Sequence, residues 1–403
     1  VARLISILAC FTLFAAAATA APIVLPADPP AQRTVDLEEV WRIGGEDDED
    51  ILLGVTQRGV MDSQGNVFLL DSQLSQVLVI SPDGELVTTL GREGEGPGEM
   101  NRPADLFLMD DTQVGISQGF PAKVVTLNLD GTPGDAIEIG TPSDNGGFFF
   151  MGEAYRRGGH LVLMHGRGSF NMETGKSNTT TSLSLLEADG SAKVTFAEHK
   201  QERDLQRQVY DEEKNFSELD QWTLGNNQVF TVPVRDQYLI NVRDMDGTLT
   251  HTLQRDFAPR KRSQDDKDGI TSGMVMIING VRQEIENHVL DHDPAIMGLR
   301  VAADGHLFVV NCYQQTEKLT DGAAGRYDVI SPEGQFIEEL TLRAPDMNPE
   351  EDRLIFLDGK SFLLIRNLDS AQSSMRAGFG GGGEEEEDLG DVEPLEVVLY
   401  RMP

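Results

Sequence analysis

One pattern recurs along this 403-residue chain and restricts its fold more than any other feature. A tight Gly-bearing turn is followed by an apolar run of four or five residues, then a second run, an Asp-Gly or Glu-Gly turn and a last short run. In the first unit "MDSQGNVFLLD" leads to "QVLVISPDGELVTTLG". The pattern returns as "MDDTQVGIS" with "KVVTLNLDGTP", and as "RRGGHLVLMHG" with "SLSLLEADGSAKVTF". It returns again as "LGNNQVFTVPV" with "YLINVRDMDGTLTHTL", and as "AADGHLFVVN" with "RYDVISPEGQFIEEL". The sixth copy, "FLDGKSFLLIRN", is interrupted before "LEVVLYRMP". Each copy reads as a meander of short antiparallel strands joined by tight turns.

Six copies spaced by about 50 residues predict an all-β fold, a six-bladed β-propeller of four-stranded antiparallel blades over residues 35–403. The sixth copy lacks an outer strand. Residues 35–45, "VDLEEVWRIGG", have strand character and end in the Gly-rich turn that also follows "LVTTL". An N-terminal strand completing the last blade closes the ring and removes an open edge. Residues 21–34 are then a linker.

"GREGEGPGEM", residues 91–100, could be a phosphate loop or a hinge between blades. A phosphate loop opens a helix and presents donors to an anion. Here Pro103 and a strand pattern follow, no Lys or Ser/Thr stands in the required place, and Glu93, Glu95 and Glu99 would repel phosphate. The glycines read instead as a turn from the rim of one blade to the centre of the next.

"GREGEGPGEMNRPADLFLMD", with "GNVFLLDS" and "QVLVISPDGEL", resembles the NHL-type repeat of six-bladed propellers from bacterial envelopes. The motif is specific in the first two units, residues 54–131, and degenerate afterwards. "RDFAPRKRSQDD" and "PAIMGLRVAADGHLFVV" also resemble a recurrent segment of these secreted propellers. The resemblance implies a toroid used mainly as a binding scaffold. It carries over no catalytic residue.

Residues 1–20 have one cation at Arg3, an apolar run from Leu4 to Phe14 and small residues ending Ala18-Thr19-Ala20. They read as a signal peptide cleaved after Ala20, which predicts a secreted or periplasmic protein. A membrane anchor would need about 20 apolar residues, and a lipoprotein reading through Cys10 has too short a leader before it. Cleavage leaves Cys312 as the one thiol, which excludes an intramolecular disulfide; in "LFVVNCYQ" it reads as a core residue. The net charge of −34 argues against nucleic acid and anionic membrane surfaces as partners, and no later stretch predicts membrane insertion.

Two segments depart from the repeat. In residues 257–293, Ile277, Ile278, Val281 and Ile285 have the spacing of a short amphipathic helix packed over one propeller face. Residues 370–393, rich in Gly and Glu, predict a flexible loop inside blade six.

Candidate chemistry is sparse. His288 and His292, beside Asp291 and Asp293, could hold a divalent metal if a helix continues that far, but Pro294 suggests an ordinary helix end. The acid runs 46–50 and 384–388 lack the alternating spacing of a calcium loop. Aligning the blades on their first turns brings Arg58, Asp105, Asp220 and Asp352 to matching places early in the innermost strands, with Trp222 and Arg300 two residues further. They would either surround one channel mouth as a ligand site or pair between blades, as Arg58 could with Asp105. The expected function is a binding scaffold for a small polar ligand or a protein or peptide partner, without catalysis. The alternative is a lactonase-type hydrolase or lyase with channel-bound Ca²⁺ held by Asp105, Asp220 and Asp352.

Overall fold

The structure is a computed structural model that describes residues 21–46, 48, 51–140, 147–204, 209–272, 275–278, 281–316, 322–345, 347–378 and 393–403. Six antiparallel sheets form a ring of blades. The innermost strands are Thr56–Met61, Pro103–Asp110, Phe148–Arg157, Trp222–Leu224, Ile296–Val301 and Arg353–Phe356 for blades one to six.

Burial follows radius. The second strands, such as Val67–Asp71 and Gln113–Gln118, are buried almost throughout because both sheet faces meet a neighbouring blade. That explains their continuous apolar runs in place of alternation. The outermost strand Leu86–Leu90 buries one residue, Leu90. No single core exists; among the described residues six apolar clusters each fill the gap between two adjacent blades, as Phe68, Leu70 and Val79 meet Leu106 and Ile116.

The ring closes where Glu38–Gly44 pairs antiparallel with Glu396–Arg401, setting Trp41 opposite Leu399. The closing strand is shorter than residues 35–45, because the preceding segment has other partners. Residues 21–34 are not a plain linker. Ala21–Leu25 adds as a fifth, parallel strand to the outer edge of blade four, and Gln32–Asp36 does the same on blade five. Both edges thereby gain partners for exposed backbone groups, and Leu25, Val35 and Leu37 are buried.

The connector at residues 91–100 is a tight turn between Leu86–Leu90 and Pro103–Asp110, with Gly91 and Gly98 both at φ +73°. Glu99 accepts from the Gly96 amide and pairs with Arg92, and Met100 is wholly buried.

The insertion after blade four differs from the expected helix. Its helix is Gln264–Thr271, started by a Ser263–Asp266 capping box, whereas Val275–Ile278 and Val281–Glu284 form an antiparallel pair. Three β-branched residues flank Asn279-Gly280 in the sequence, and that dipeptide is a strong hairpin signal. A stack of ions fixes the insertion to the propeller: Glu212 accepts from Arg235 and Arg262, and Asp293 from Arg260 and Arg262.

The Gly/acidic segment also differs from the expected loop, because it begins as a helix. Leu368–Gly378 is a helix that buries Leu368, packs Ala371 on the cluster between blades six and one, and bonds through Ser370 to Glu351. The remainder of that loop, residues 379–392 with the acid run 384–388, lies outside the described residues, as do residues 1–20. In the other acid run, Asp48 accepts from the Gly44 and Ile51 amides. His288 lies on the strand Glu286–His288 and His292 in a bridge with Lys261, so no helix aligns them. Cys312 is buried as expected, although it begins the short helix Cys312–Thr316. Among the described residues no helix is long and apolar enough to cross a membrane.

Candidate functional site

Four innermost strands carry a one-residue bulge near their start, between Thr56 and Arg58, Pro103 and Asp105, Met151 and Ala154, and Ile296 and Gly298. A bulge bends the strand and redirects the next side chain. In blades one to three the result is a shared charged cluster at one end of the channel. Arg58 Nε donates to Asp105 Oδ1 at 3.2 Å, and Arg58 Nη2 lies 3.5 Å from Glu153 Oε1. Asp105 also accepts from the amides of Leu106 at 2.9 Å and Ala154 at 3.0 Å, which ties three blades together. Burial pushes the Asp105 carboxyl upward, against the pull of Arg58 and the two amides.

Arg300 faces the same space from blade five. It is exposed to the channel although protein surrounds it, and its Nη1 donates to its neighbour's carbonyl, Leu299 O, at 2.7 Å. Among the described residues no carboxylate lies within 4.0 Å of it. Burial works against its charge, but Tyr155, Glu153, Tyr327 and Asp105 outweigh that and hold its pKa above the usual value. Tyr155 is pushed up to about 12, chiefly by burial, so its hydroxyl remains a neutral donor. At the other end of the channel Arg157 Nη1 donates across to Ala302 O at 3.1 Å.

The other sequence candidates lie elsewhere. Trp222 is 2% exposed and belongs to the cluster between blades three and four, edge-on to Tyr155 with centroids 4.9 Å apart. Asp220 accepts from Ser217 N and closes the turn before its strand, where burial raises its pKa. Asp352 accepts from the amides of Asn348 and Asn367 and holds the approach to blade six. Neither acid shares a hydrogen bond or ion pair with Arg58, Asp105 or Arg300. Replacing Trp222 with Ala should therefore cost about 3–5 kcal/mol of stability by cavity formation. Chemical denaturation measures it, and an unchanged midpoint would remove Trp222 from the core.

The structure adds Glu153 and Tyr155, which the turn alignment missed because the bulge at Gly152-Glu153 shifts their register. The three acids considered for calcium have separate partners: Asp105 pairs with Arg58 and two amides, and Asp220 and Asp352 accept from amides near their own strands. Among the described residues no three His, Cys, Asp or Glu side chains form a metal-binding group. His165 Nε2 stands 3.0 Å from Ser184 Oγ, but that serine is fully buried between strands and does not form an accessible nucleophile.

A protein-family model described as a 6-bladed beta-propeller matches residues 45–139, the stretch that holds the two most regular repeats. A search of the curated proteins gave no match. Among solved structures, the chain is similar to a Bacteroides fragilis protein described as exported, with 10% identity, TM-score 0.44, and coverage of 95% of this chain and 99% of that one. Virginiamycin B lyase from Staphylococcus aureus is similar at 13% identity and TM-score 0.41, over 90% and 99% of the two chains. Regucalcin from Agrobacterium tumefaciens is similar at 9% identity and TM-score 0.38, over 92% and 97%.

Proposed function

We propose that this six-bladed propeller is an exported binding protein whose channel mouth takes a small polar ligand or peptide end bearing a carboxylate. The observation that carries this reading is Arg300, a channel-facing guanidinium with no ion-pair partner among the described residues. Guanidinium groups recognise carboxylates through paired hydrogen bonds, and Glu153, 39% exposed on its side chain, offers a place for a ligand's ammonium or hydroxyl. Arg58 and Asp105 are the frame: their mutual contact across blades holds the mouth in shape. The resemblance to NHL-type envelope propellers and the leader-like residues 1–20 support export.

The test is a thermal-shift screen of amino acids, hydroxy acids and short peptides on the mature protein, followed by titration. Arg300→Ala should weaken binding of a carboxylate hit by at least about tenfold while leaving the melting temperature unchanged. A variant that binds as wild type overturns the proposed site. Export has its own measurement. Expression of the full chain in a secretion-competent bacterium should yield periplasmic or secreted protein lacking residues 1–20 by mass, and an intact cytoplasmic chain contradicts it.

A further inference from the structure

A second cavity, about 680 Å³, opens across the lower edge of blade three, on the face opposite the charged mouth. Its volume falls in the range of about 300–1,000 Å³ usual for small-ligand sites. Met109 and Ile137 of blade two, Leu161, Leu185 and Leu186 of blade three, and Met245 from a turn of blade four supply an apolar floor. Methionines at two sides let such a floor adapt to an alkyl chain.

The charges around it are unevenly committed. Glu187 is paired with Lys193 at 3.1 Å, and Asp246 accepts from the Thr248 amide. Arg156 has no hydrogen bond or ion pair among the described residues; Asp110 feels its charge only at longer range and is itself bonded to Thr112. Arg156 lies on the innermost strand of blade three, whereas Asp135 stands beside the outermost strand of blade two. The groove thus has a cationic inner end and an acidic outer end, with apolar walls between. We propose that it is a binding site for an amphipathic carboxylate, with the alkyl chain along the leucine and methionine floor and the head group on Arg156.

Decanoate and decanol are the probes, titrated by calorimetry into the mature protein below their aggregation concentrations. Wild type should bind decanoate saturably at one site. Arg156→Ala should lower decanoate affinity about tenfold and leave decanol binding unchanged. Ala188→Trp, at an exposed turn position that lines the groove, should abolish both with no change in melting temperature. Absence of saturable binding by wild type, or binding that both variants retain, overturns the proposal. Because Arg300 is at the other mouth, Arg300→Ala should not affect decanoate, which separates this site from the channel.

Discussion

A chain that begins at Glu46 should express as insoluble protein and show no cooperative unfolding transition. The deletion removes Leu25, Val35, Leu37, Trp41 and Ile43 from the gaps between blades, all of them buried. Each apolar side chain contributes about 1.5–3 kcal/mol by burial, so the loss is on the order of 10 kcal/mol, comparable to the whole stability of an ordinary domain. It also exposes Glu396–Arg401 as a long unpaired edge. Deleting only residues 21–31 is the control, since Glu38–Gly44 still closes the ring; that protein should be soluble with a lowered melting temperature. A soluble, cooperatively melting chain from Glu46 would show that closure is dispensable.

Asp328→Ala should destabilise the protein by about 3–5 kcal/mol, the usual cost of leaving a buried charge unpaired. Asp328 is almost wholly inaccessible and accepts from Arg255 Nη1 at 2.7 Å, Tyr238 Oη at 3.0 Å, Asn311 Nδ2 at 3.1 Å and Gln314 Nε2 at 2.8 Å. The Arg255 guanidinium is confined among the Tyr238, Phe257 and Phe336 rings and has little water to turn to. Equilibrium urea unfolding measures the change. The double variant Asp328→Ala with Arg255→Met should recover part of it, because both charges are then gone. A single variant with wild-type stability would mean that the network is incidental.

The propeller was legible because its defining signals are local. Turns such as Ser81-Pro82-Asp83-Gly84 and Ser331-Pro332-Glu333-Gly334 specify themselves through a serine hydroxyl accepting from amides two and four residues on, with Gly84 and Gly334 at positive φ. Repetition of such turns fixes the meander, and the meander fixes the blade. Counting from turns places a residue at a height along its strand, and the bulges then decide which way it points. A one-residue shift moves a side chain to the other face, so Arg58 and Arg300 reach the channel, with Asp105 buried behind Arg58, while Trp222 enters the core. Asp220 and Asp352 precede their strands and were recruited by nearby amides. The pairing of Ala21–Leu25 was hidden for a different reason: five residues with a partner at His251 to Arg255 carry no local sign of that partner.

The N-terminal segment also sets an order in time. Its three strands contact blades four, five and six in the same sequence in which those blades leave the ribosome, through Leu249–Arg255, Phe336–Arg343 and Glu396–Arg401. The earlier-made segment must therefore wait for each partner in turn, and the latch cannot shut until Glu396–Arg401 exists. Contacts so distant along the chain make folding slow. A segment that holds three blades from outside acts as a late clasp, and its attachments to blades four and five keep Glu38–Gly44 near its partner whenever that pairing opens.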